Sequence, residues 1–256
     1  MRVGESLALV TGASSGIGEA FARELSRRGA SLILTARRQE RLERLRSELT
    51  TPVDILAADL ATDEGVKSVT RRLGLGGVSL LVNNAGLGYR GTVADETDEG
   101  IATIVRVNLE ATFRLARAAL VPMRSSGGGA IINVVSMGAF QPVPYLAAYA
   151  ATKAGLLSFS EALADEVAGM GISVQALCPG NIPTGFQEVA GTKGSRFDRT
   201  PAMSADAVAR HSLDALEKGG QPLQIPAAMD RLSVFAQRLL PRFVGRRVAG
   251  RLMKPD

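Results

Sequence analysis

The sequence predicts one α/β domain, in which a doubly wound parallel sheet is covered by helices on both faces. Its 256 residues fit a single domain of this class. Short and almost wholly apolar runs alternate with longer amphipathic segments, as expected for buried parallel strands that helices connect. The 28 glycines cluster at the turns between these runs, which indicates short, tight connections.

The alternation places six strands and six helices along the chain. The strands are predicted at Ser6–Val10, Ser31–Thr35, Val53–Ala57, Leu80–Val82, Ala130–Val135 and Ser173–Leu177. The helices are predicted at Gly16–Arg28, Gln39–Leu49, Asp63–Leu73, Thr97–Met123, Tyr149–Met170 and Ser204–Glu217. The segment 180–202 mixes glycine, proline, threonine and charged residues, so we expect an irregular binding loop or lid there.

Charge and cysteine content narrow the function classes. The net charge is +5, but residues 231–256 carry seven Lys or Arg and one Asp, so the rest of the chain is slightly acidic. A basic tail alone does not predict nucleic-acid binding by the domain. The single cysteine, Cys178, can form neither an intramolecular disulfide nor a metal cluster, which favours a reducing cytoplasm. No apolar run reaches the roughly 18–20 residues of a membrane span, and no secretion signal is predicted.

A glycine-rich turn follows the first predicted strand and opens the first helix. It reads Thr11-Gly-Ala-Ser-Ser-Gly-Ile-Gly18. Glycines there let backbone N–H groups and the helix dipole approach a pyrophosphate without a Cβ clash. A tight connection without a ligand is the alternative, but the position after the first strand favours a dinucleotide site. The residues expected at the phosphates are Gly12, Ser14, Ser15, Gly16, Ile17 and Gly18.

The end of the second predicted strand indicates the type of dinucleotide. NAD sites usually place Asp or Glu there, about 20 residues after the glycines, to bind the ribose 2′-hydroxyl. This chain instead has Arg37 and Arg38, with no acid. A guanidinium can bind a 2′-phosphate in a bidentate pair, so the sequence predicts NADP(H). The alternative is that both arginines are solvated residues at the start of a helix.

Two further strand ends carry candidate cofactor contacts. Asp59 and Leu60 follow the third strand, where a carboxylate can accept a hydrogen bond from an adenine amino group or cap a turn. Asn84, Ala85 and Gly86 follow the fourth strand. Small residues there let the backbone come close to a ligand, and an ordinary turn is the alternative.

The catalytic candidates are a phenol, an amine and a hydroxyl group. Tyr149 and Lys153 are spaced i, i+4 on a predicted helix, so their side chains project into the same space. A free tyrosine has a pKa near ~10, and a fixed ammonium together with an oxidised nicotinamide would lower it. Ser136 ends the fifth strand. Chance pairs of this spacing are common on helices, so the assignment depends on Ser136 and the glycine turn as well.

Together these motifs resemble the classical short-chain dehydrogenase/reductase family. The resemblance rests on Thr11–Gly18, Asn83–Gly86, Asn108, Ser136, Tyr149 with Lys153, and Pro179-Gly180, and it spans about residues 5–226. It implies a single-domain Rossmann fold with a parallel sheet of about seven strands. It also implies hydride transfer between the nicotinamide of NADP(H) and a carbonyl or alcohol carbon, in a homodimer or homotetramer built on the two longest helices.

The resemblance further implies roles for individual residues. Tyr149 would exchange a proton with the substrate oxygen, Lys153 would lower the pKa of that tyrosine and hold the nicotinamide ribose, and Ser136 would bind the substrate oxygen. Asn108 would disturb the long helix Thr97–Met123 and hold a water that connects Lys153 to solvent. The carboxamide end of the cofactor would be contacted by Pro179, Gly180, Ile182 and Thr184.

The expected substrate is a hydrophobic ketone, aldehyde or secondary alcohol. Its contacts are predicted at Ser136, Tyr145, Tyr149 and Phe186, with further wall residues at Met137, Phe140, Pro142, Val143, Pro144, Ile182 and Val189. His211 and Cys178 are expected to be structural. The competing hypothesis is a non-catalytic NADP(H)-binding scaffold or sensor, which has no need of the complete catalytic set.

The C-terminal segment is unusual. Residues 1–228 are expected to form the catalytic domain, and residues 229–256 a basic amphipathic extension of it. The apolar residues at helical spacing are Leu232, Phe235, Leu239 and Phe243. A second, basic stripe is formed by Arg238, Arg242 and Arg246. Pro241 should divide this helix. The extension could pack on the pocket mouth or on another subunit, which is favoured, or lie on an anionic membrane.

Overall fold

The structure, a computed structural model, describes residues 1–255, without the side chain of Arg238. Within these residues seven strands form one parallel sheet, in the order β3-β2-β1-β4-β5-β6-β7. The strands are β1 Leu7–Thr11, β2 Ser31–Thr35, β3 Val53–Ile55, β4 Leu80–Asn83, β5 Gly129–Val134, β6 Ile172–Leu177 and β7 Leu223–Gln224. The fold class predicted from the sequence is therefore confirmed.

The strands bury side chains on both faces of the sheet. In β1, Ala8 and Val10 join one core and Leu9 joins the other, because successive side chains of a strand point in opposite directions. Both cores are apolar, which explains why these strands appear in the sequence as nearly continuous apolar runs.

The helices cover both faces. They are α1 Gly16–Arg27, α2 Gln39–Glu48, α3 Asp63–Gly74, α4 Asp98–Val105, α5 Thr112–Ser125, α6 Ala147–Glu166, α7 Gly185–Val189, α8 Ala205–Glu217, α9 Ala228–Leu239 and α10 Arg242–Met253. Helices α1, α2 and α8 pack on one face, and α3, α5 and α6 on the other. No helix within residues 1–255 combines the length and the apolar character that a bilayer span needs.

The sheet has a switch point between β1 and β4. The chain runs outward from β1 through β2 to β3 and then returns to place β4 on the other side of β1. The connections that leave β1 and β4 therefore diverge, and a crevice opens at the carboxyl ends of these two strands. Ligands of doubly wound sheets bind in this crevice.

The predicted helix over Thr97–Met123 is interrupted. Helices α4 and α5 are joined by a π-helical turn, Arg106–Ala111, and Asn108 lies within it. Such turns are rare and often occur at functional sites. The expected departure from regular helix geometry at Asn108 is observed, whereas the sequence pattern predicts a single helix over Thr97–Met123.

The C-terminal segment forms α9 and α10, which separate at Pro241 as predicted. One side of α10 packs against the segment that precedes α6, where Ala249 and Met253 are buried with Val143. The Arg90 side chain also donates to the Met253 carbonyl oxygen at 2.8 Å. Of the predicted extension, the Arg238 side chain and residue 256 lie outside the described part.

Candidate active site

A cavity of about 840 Å³ lies at the carboxyl edge of the sheet, around the switch point. Its volume is within the ~300–1,000 Å³ typical of small-molecule and cofactor sites. Every cofactor contact predicted from the sequence lines this cavity except Gly18. Ser136, Tyr149 and Lys153 line it as well, whereas Asn108 is fully buried behind the wall.

The glycine turn leaves the start of α1 open toward the cavity. Gly12 has a φ of +65°, which favours glycine over any residue with a Cβ atom. A Cβ atom on Gly18 would lie 2.5 Å from the Gly12 carbonyl oxygen, so Gly18 is required for packing of the helix on its own turn. The Ser15 side chain precedes α1 but does not cap it. The first N–H groups of the helix are therefore available to a phosphate.

Hydrogen bonds tie the ends of β1 and β4 together. The Thr11 hydroxyl accepts from the backbone N–H groups of Asn84 at 2.9 Å and Ala85 at 3.0 Å. The Asn84 side-chain amide donates to the Thr11 carbonyl oxygen at 2.8 Å. Asp59 lines the cavity, and one of its carboxylate oxygens caps a turn by accepting from Ala61 N at 3.0 Å. The turn-capping alternative considered for Asp59 is thus observed.

Three arginines converge beside the glycine turn. Arg37, Arg38 and Arg41 all line the cavity. One Nη of Arg38 bonds to Ser14 Oγ at 2.9 Å and Ser15 Oγ at 3.2 Å. Partial burial, and then the charges of Arg41 and Arg37, lower the pKa of Arg38. A phosphate bound among these guanidinium groups would relieve their repulsion, so the donor set fits a nucleotide with a 2′-phosphate.

Ser136 and Tyr149 face each other across Gly138. A Cβ atom on Gly138 would lie 3.5 Å from Ser136 Oγ and 3.8 Å from Tyr149 Cε1. The Ser136 hydroxyl accepts from Gly138 N at 3.1 Å, which fixes its position. The Phe186 ring packs on the phenol of Tyr149, with 5.4 Å between the ring centres. A small substrate oxygen can therefore meet both hydroxyl groups beneath an apolar wall.

Lys153 lies one helical turn after Tyr149 on α6. Its Nζ atom is 5.7 Å from the centre of the Tyr149 ring and donates to the Val134 carbonyl oxygen at 2.8 Å. Burial lowers the pKa of Lys153 to about 8. Burial also raises the pKa of Tyr149 to about 12, and the smaller, opposite effect of the Ser136 hydroxyl does not cancel it. In the chain by itself the phenol keeps its proton at neutral pH, so the lowered pKa expected from the sequence requires the charge of an oxidised nicotinamide.

Asn108 connects three parts of the wall. Its side-chain amide accepts from Leu87 N at 2.8 Å and donates to the Leu87 carbonyl oxygen at 2.9 Å. It also donates to the Thr152 hydroxyl at 3.0 Å. Both N–H groups of the Asn108 amide are thereby used, so a water in the predicted proton path would have to bind the remaining lone pair of its oxygen or the backbone.

Comparisons with known proteins agree with this arrangement. The family profile described as short chain dehydrogenase matches residues 6–193. The chain belongs to the short-chain dehydrogenase family. Nodulation protein G of Rhizobium sp. (strain N33) is 40% identical to this dehydrogenase over 183 residues, which are 71% of this chain and 75% of that protein.

Several solved structures superpose closely on this chain. One from Sphingobium yanoikuyae, in complex with NADPH, has a TM-score of 0.82 at 34% identity and covers 92% of this chain and 95% of its own. A bulky-bulky ketone specific alcohol dehydrogenase from Comamonas testosteroni has a TM-score of 0.78 at 30% identity, over 92% and 93%. A Burkholderia phymatum protein in complex with NAD shares the fold at 22% identity, with a TM-score of 0.82 over 100% and 99%. The fold alone therefore does not select between NAD and NADP.

The substrate end of the cavity differs from the prediction at Tyr145. This residue does not line the cavity. It has a φ of +67° and packs instead with Val143, Ala249 and Met253, beneath α10. Phe140, Pro142 and Pro144 are also absent from the described lining, whereas Met137, Val143, Ile182, Phe186 and Val189 belong to it.

Several lining residues of this dehydrogenase were not predicted. The polar ones include Arg41, Gln141, Gln187, Thr192, Asp230, Ser233 and Gln237. Asp230, Ser233 and Gln237 follow one side of α9, and their i, i+3, i+7 spacing was the available sequence pattern. The Asp230 carboxylate lies directly against Gly180, and burial raises its pKa. The extension therefore forms one wall of the site.

The remaining chemically versatile residues lie outside the cavity. His211 on α8 contacts the Gln224 side chain at 3.1 Å. Cys178 is buried, and burial raises its pKa to about 12, so its thiol is a poor nucleophile. Over the described residues, no three His, Cys, Asp or Glu side chains are grouped as a metal site would require.

Proposed function

We propose that this short-chain dehydrogenase is an NADP(H)-dependent oxidoreductase that acts on an apolar ketone, aldehyde or secondary alcohol. The observation that carries the proposal is the meeting of Ser136, Tyr149 and Lys153 in the cavity that the glycine turn also lines. When bound, the cofactor supplies or accepts the hydride. The protein residues supply the site for the substrate oxygen and the proton that this oxygen takes up.

The phenol of Tyr149 serves as the general acid in the reductive direction. Its pKa of about 12 keeps it protonated, and a carbonyl oxygen that accepts from Tyr149 and Ser136 is oriented before its carbon is reduced. As negative charge develops on that oxygen, the proton moves to it from Tyr149. Lys153, whose pKa of about 8 leaves it largely charged at pH 7, stabilises the resulting phenolate.

Two features support the choice of NADP(H). The end of β2 presents Arg37 and Arg38 instead of a carboxylate, and Arg41 adds a third guanidinium. A 2′-phosphate suits this donor set, whereas an NAD ribose would leave three neighbouring cations without a counter-charge. The Sphingobium relative in complex with NADPH is consistent with this preference.

The substrate class is inferred from the walls around Tyr149. Phe186, Val143 and Met137 are apolar, and the Comamonas relative is described as specific for bulky-bulky ketones. A screen of NADPH oxidation with aliphatic, aromatic, steroid and β-ketoacyl carbonyl compounds should find activity with bulky apolar members. We also expect the protein to be cytoplasmic and to form a homodimer or homotetramer. Light scattering would test the oligomeric state.

The decisive test is Tyr149→Phe. This variant should lose about 10²–10⁴-fold in turnover, the contribution of a positioned general acid, and it should bind NADPH almost as tightly as the wild type. Ser136→Ala is the companion variant, with a smaller loss. If Tyr149→Phe turns over at the wild-type rate, the mechanism is wrong. Tight NADPH binding with no turnover of any carbonyl by the wild type would favour the scaffold hypothesis.

A further inference from the structure

Helix α9 has two sides of opposite character. Asp230, Ser233 and Gln237 face the cavity. The opposite side forms an apolar surface together with the start of α10, which we term the outer tail surface. It consists of Met229, Leu232, Phe235, Leu239, Leu240 and Phe243, whose exposed fractions lie between 49% and 72%. Large apolar side chains that are exposed together in this way are a feature of interaction sites.

Five arginines accompany the outer tail surface along α9 and α10. Arg231, Arg242, Arg246, Arg247 and Arg251 are exposed. In the described structure no carboxylate lies within 4.0 Å of any of these five guanidinium groups. Helix α10 itself contains no acidic residue. The Arg247 guanidinium lies over the Phe243 ring at 5.3 Å, so cationic and apolar groups are interleaved.

The outer tail surface adjoins the mouth of the active-site cavity. Met229 and Val189 both line the cavity and are nevertheless 68% and 63% exposed. They therefore lie at its rim. A partner bound to the outer tail surface would therefore lie next to the entrance of the cavity.

A lipid surface fits this composition better than a second copy of the chain. A two-fold interface would place the same surface on both partners, and the only carboxylate that α9 and α10 could offer the arginines of the other copy is Asp230, which faces the cavity. In an anionic membrane the apolar side chains enter the acyl boundary while the arginines contact lipid phosphates. An exposed apolar side with adjoining arginines is typical of helices that lie in the membrane interface.

We propose that α9 and the start of α10 bind an anionic membrane surface through the outer tail surface, and that the chain is thereby held with its cavity rim at the lipid. The proposal that the chain binds a membrane does not depend on the reaction that it catalyses. The benefit for an apolar carbonyl substrate, which could pass from the lipid into the cavity, rests on the proposed function.

The test is co-sedimentation of the full-length chain with vesicles. Vesicles of phosphatidylcholine with phosphatidylglycerol should bind the protein, pure phosphatidylcholine should bind it far less, and raised salt should weaken binding. Leu232→Ser/Phe235→Ser should reduce binding by about tenfold or more, since both side chains would insert. Arg246→Gln/Arg247→Gln should reduce it on the order of tenfold, because each arginine contributes separately.

The matched control is Leu75→Ser, which removes an apolar side chain of greater exposure that follows α3, outside the tail, and should leave binding unchanged. Circular dichroism verifies that each variant is folded. Absence of wild-type binding to the anionic vesicles would overturn the proposal. So would a Leu232→Ser/Phe235→Ser variant that binds vesicles normally but forms a smaller oligomer by light scattering. Neither result depends on NADPH turnover, so a failure here is distinguishable from failure of the proposed function.

Discussion

The guanidinium group of Arg38 bonds to the hydroxyl of Ser14 at 2.9 Å, and so connects the end of β2 to the glycine turn after β1. Ser15 is a second partner of the same nitrogen, at 3.2 Å. The position of Arg38 is therefore set before any nucleotide binds. Arg37 has no such contact among the described hydrogen bonds and extends into solvent at the rim of the cavity. The two neighbouring arginines should consequently contribute to nucleotide binding in different ways.

Substitution of these arginines should separate the two contributions. Arg37→Ala should lower the efficiency with NADPH by about 10–100-fold, the equivalent of ~1.5–3 kcal/mol for a charged hydrogen bond, and leave efficiency with NADH unchanged. Arg38→Ala should also lower the NADPH preference. It should raise the KM for NADH as well, because the glycine turn loses the hydrogen bonds from Arg38 to Ser14 and Ser15. Steady-state kinetics with both cofactors provide the measurement. Arg44→Ala, on α2 but outside the cavity, is the control.

The outcome at Arg37 bears directly on cofactor choice. If Arg37→Ala leaves the ratio of NADPH to NADH efficiency unchanged while Arg38→Ala abolishes it, the phosphate is bound by Arg38 alone. If neither substitution changes the ratio, the arginines are solvated helix-start residues, and the preference for NADP(H) is wrong.

The sequence predicted the sheet well because burial on both faces leaves a strong pattern. Six strands were placed to within two residues, and the motif residues at their carboxyl ends meet in one cavity. The strand β7 has only two residues, Leu223–Gln224, so its apolar run is too short to stand out. The π-helical turn at Asn108 was located only through the family resemblance, because nothing in composition distinguishes it from regular helix.

Other parts of the site depend on contacts that no local pattern records. Tyr145 was predicted in the cavity, but its positive φ directs it beneath α10. Asp230 lies 50 residues after Gly180 in the sequence, and only the return of α9 across the cavity brings them together. The pKa of Tyr149 also required the structure, since its value reflects desolvation more than the presence of Lys153.

Burial of Lys153 should reduce the stability of the fold. Its pKa of about 8 lies below the ordinary 10.5, so between these values the unfolded chain binds a proton that the folded chain has released. The free energy of unfolding attributable to Lys153 therefore rises as the pH increases through this window, and its charge is fully destabilising below about pH 8. The difference corresponds to about 3 kcal/mol. A variant without the amine also loses the hydrogen bond to the Val134 carbonyl oxygen, which offsets about 1 kcal/mol of this difference.

Lys153→Met should thus increase the free energy of unfolding by about 2 kcal/mol at pH 7 while abolishing turnover. The advantage should fade as the pH rises from 8 to 10.5. Urea denaturation of the variant and the wild type at several pH values measures this difference. Lys218→Met, at an exposed site, is the matched control. A variant less stable than the wild type at pH 7 would mean that the ammonium of Lys153 is better stabilised than its burial indicates.

The contact between Gly180 and Asp230 should couple the cofactor turn to the C-terminal extension. Gly180 does not adopt a positive φ, so its backbone accepts alanine, but a Cβ atom there would overlap the Asp230 carboxylate. Gly180→Ala should therefore displace the Asp230 carboxylate and lower the free energy of unfolding by about 1 kcal/mol, the low end of overpacking, because a side-chain end can rotate away. It should also raise the KM for NADPH, because the displaced carboxylate must take a new position at the cavity.

Asp230→Ala should rescue that defect. Burial destabilises the ionised Asp230 carboxylate in the folded chain, so its removal alone should cost little, and it also makes space for the new Cβ atom. The double variant should then be more stable than Gly180→Ala, with a coupling energy of about 0.5–1 kcal/mol in a double-mutant cycle. Ser233→Ala, on the same side of α9 but not against Gly180, should show no coupling. Additive effects of Gly180→Ala and Asp230→Ala would mean that α9 does not press on the cofactor turn, and the extension would then be a separate wall instead of a part of the nucleotide site.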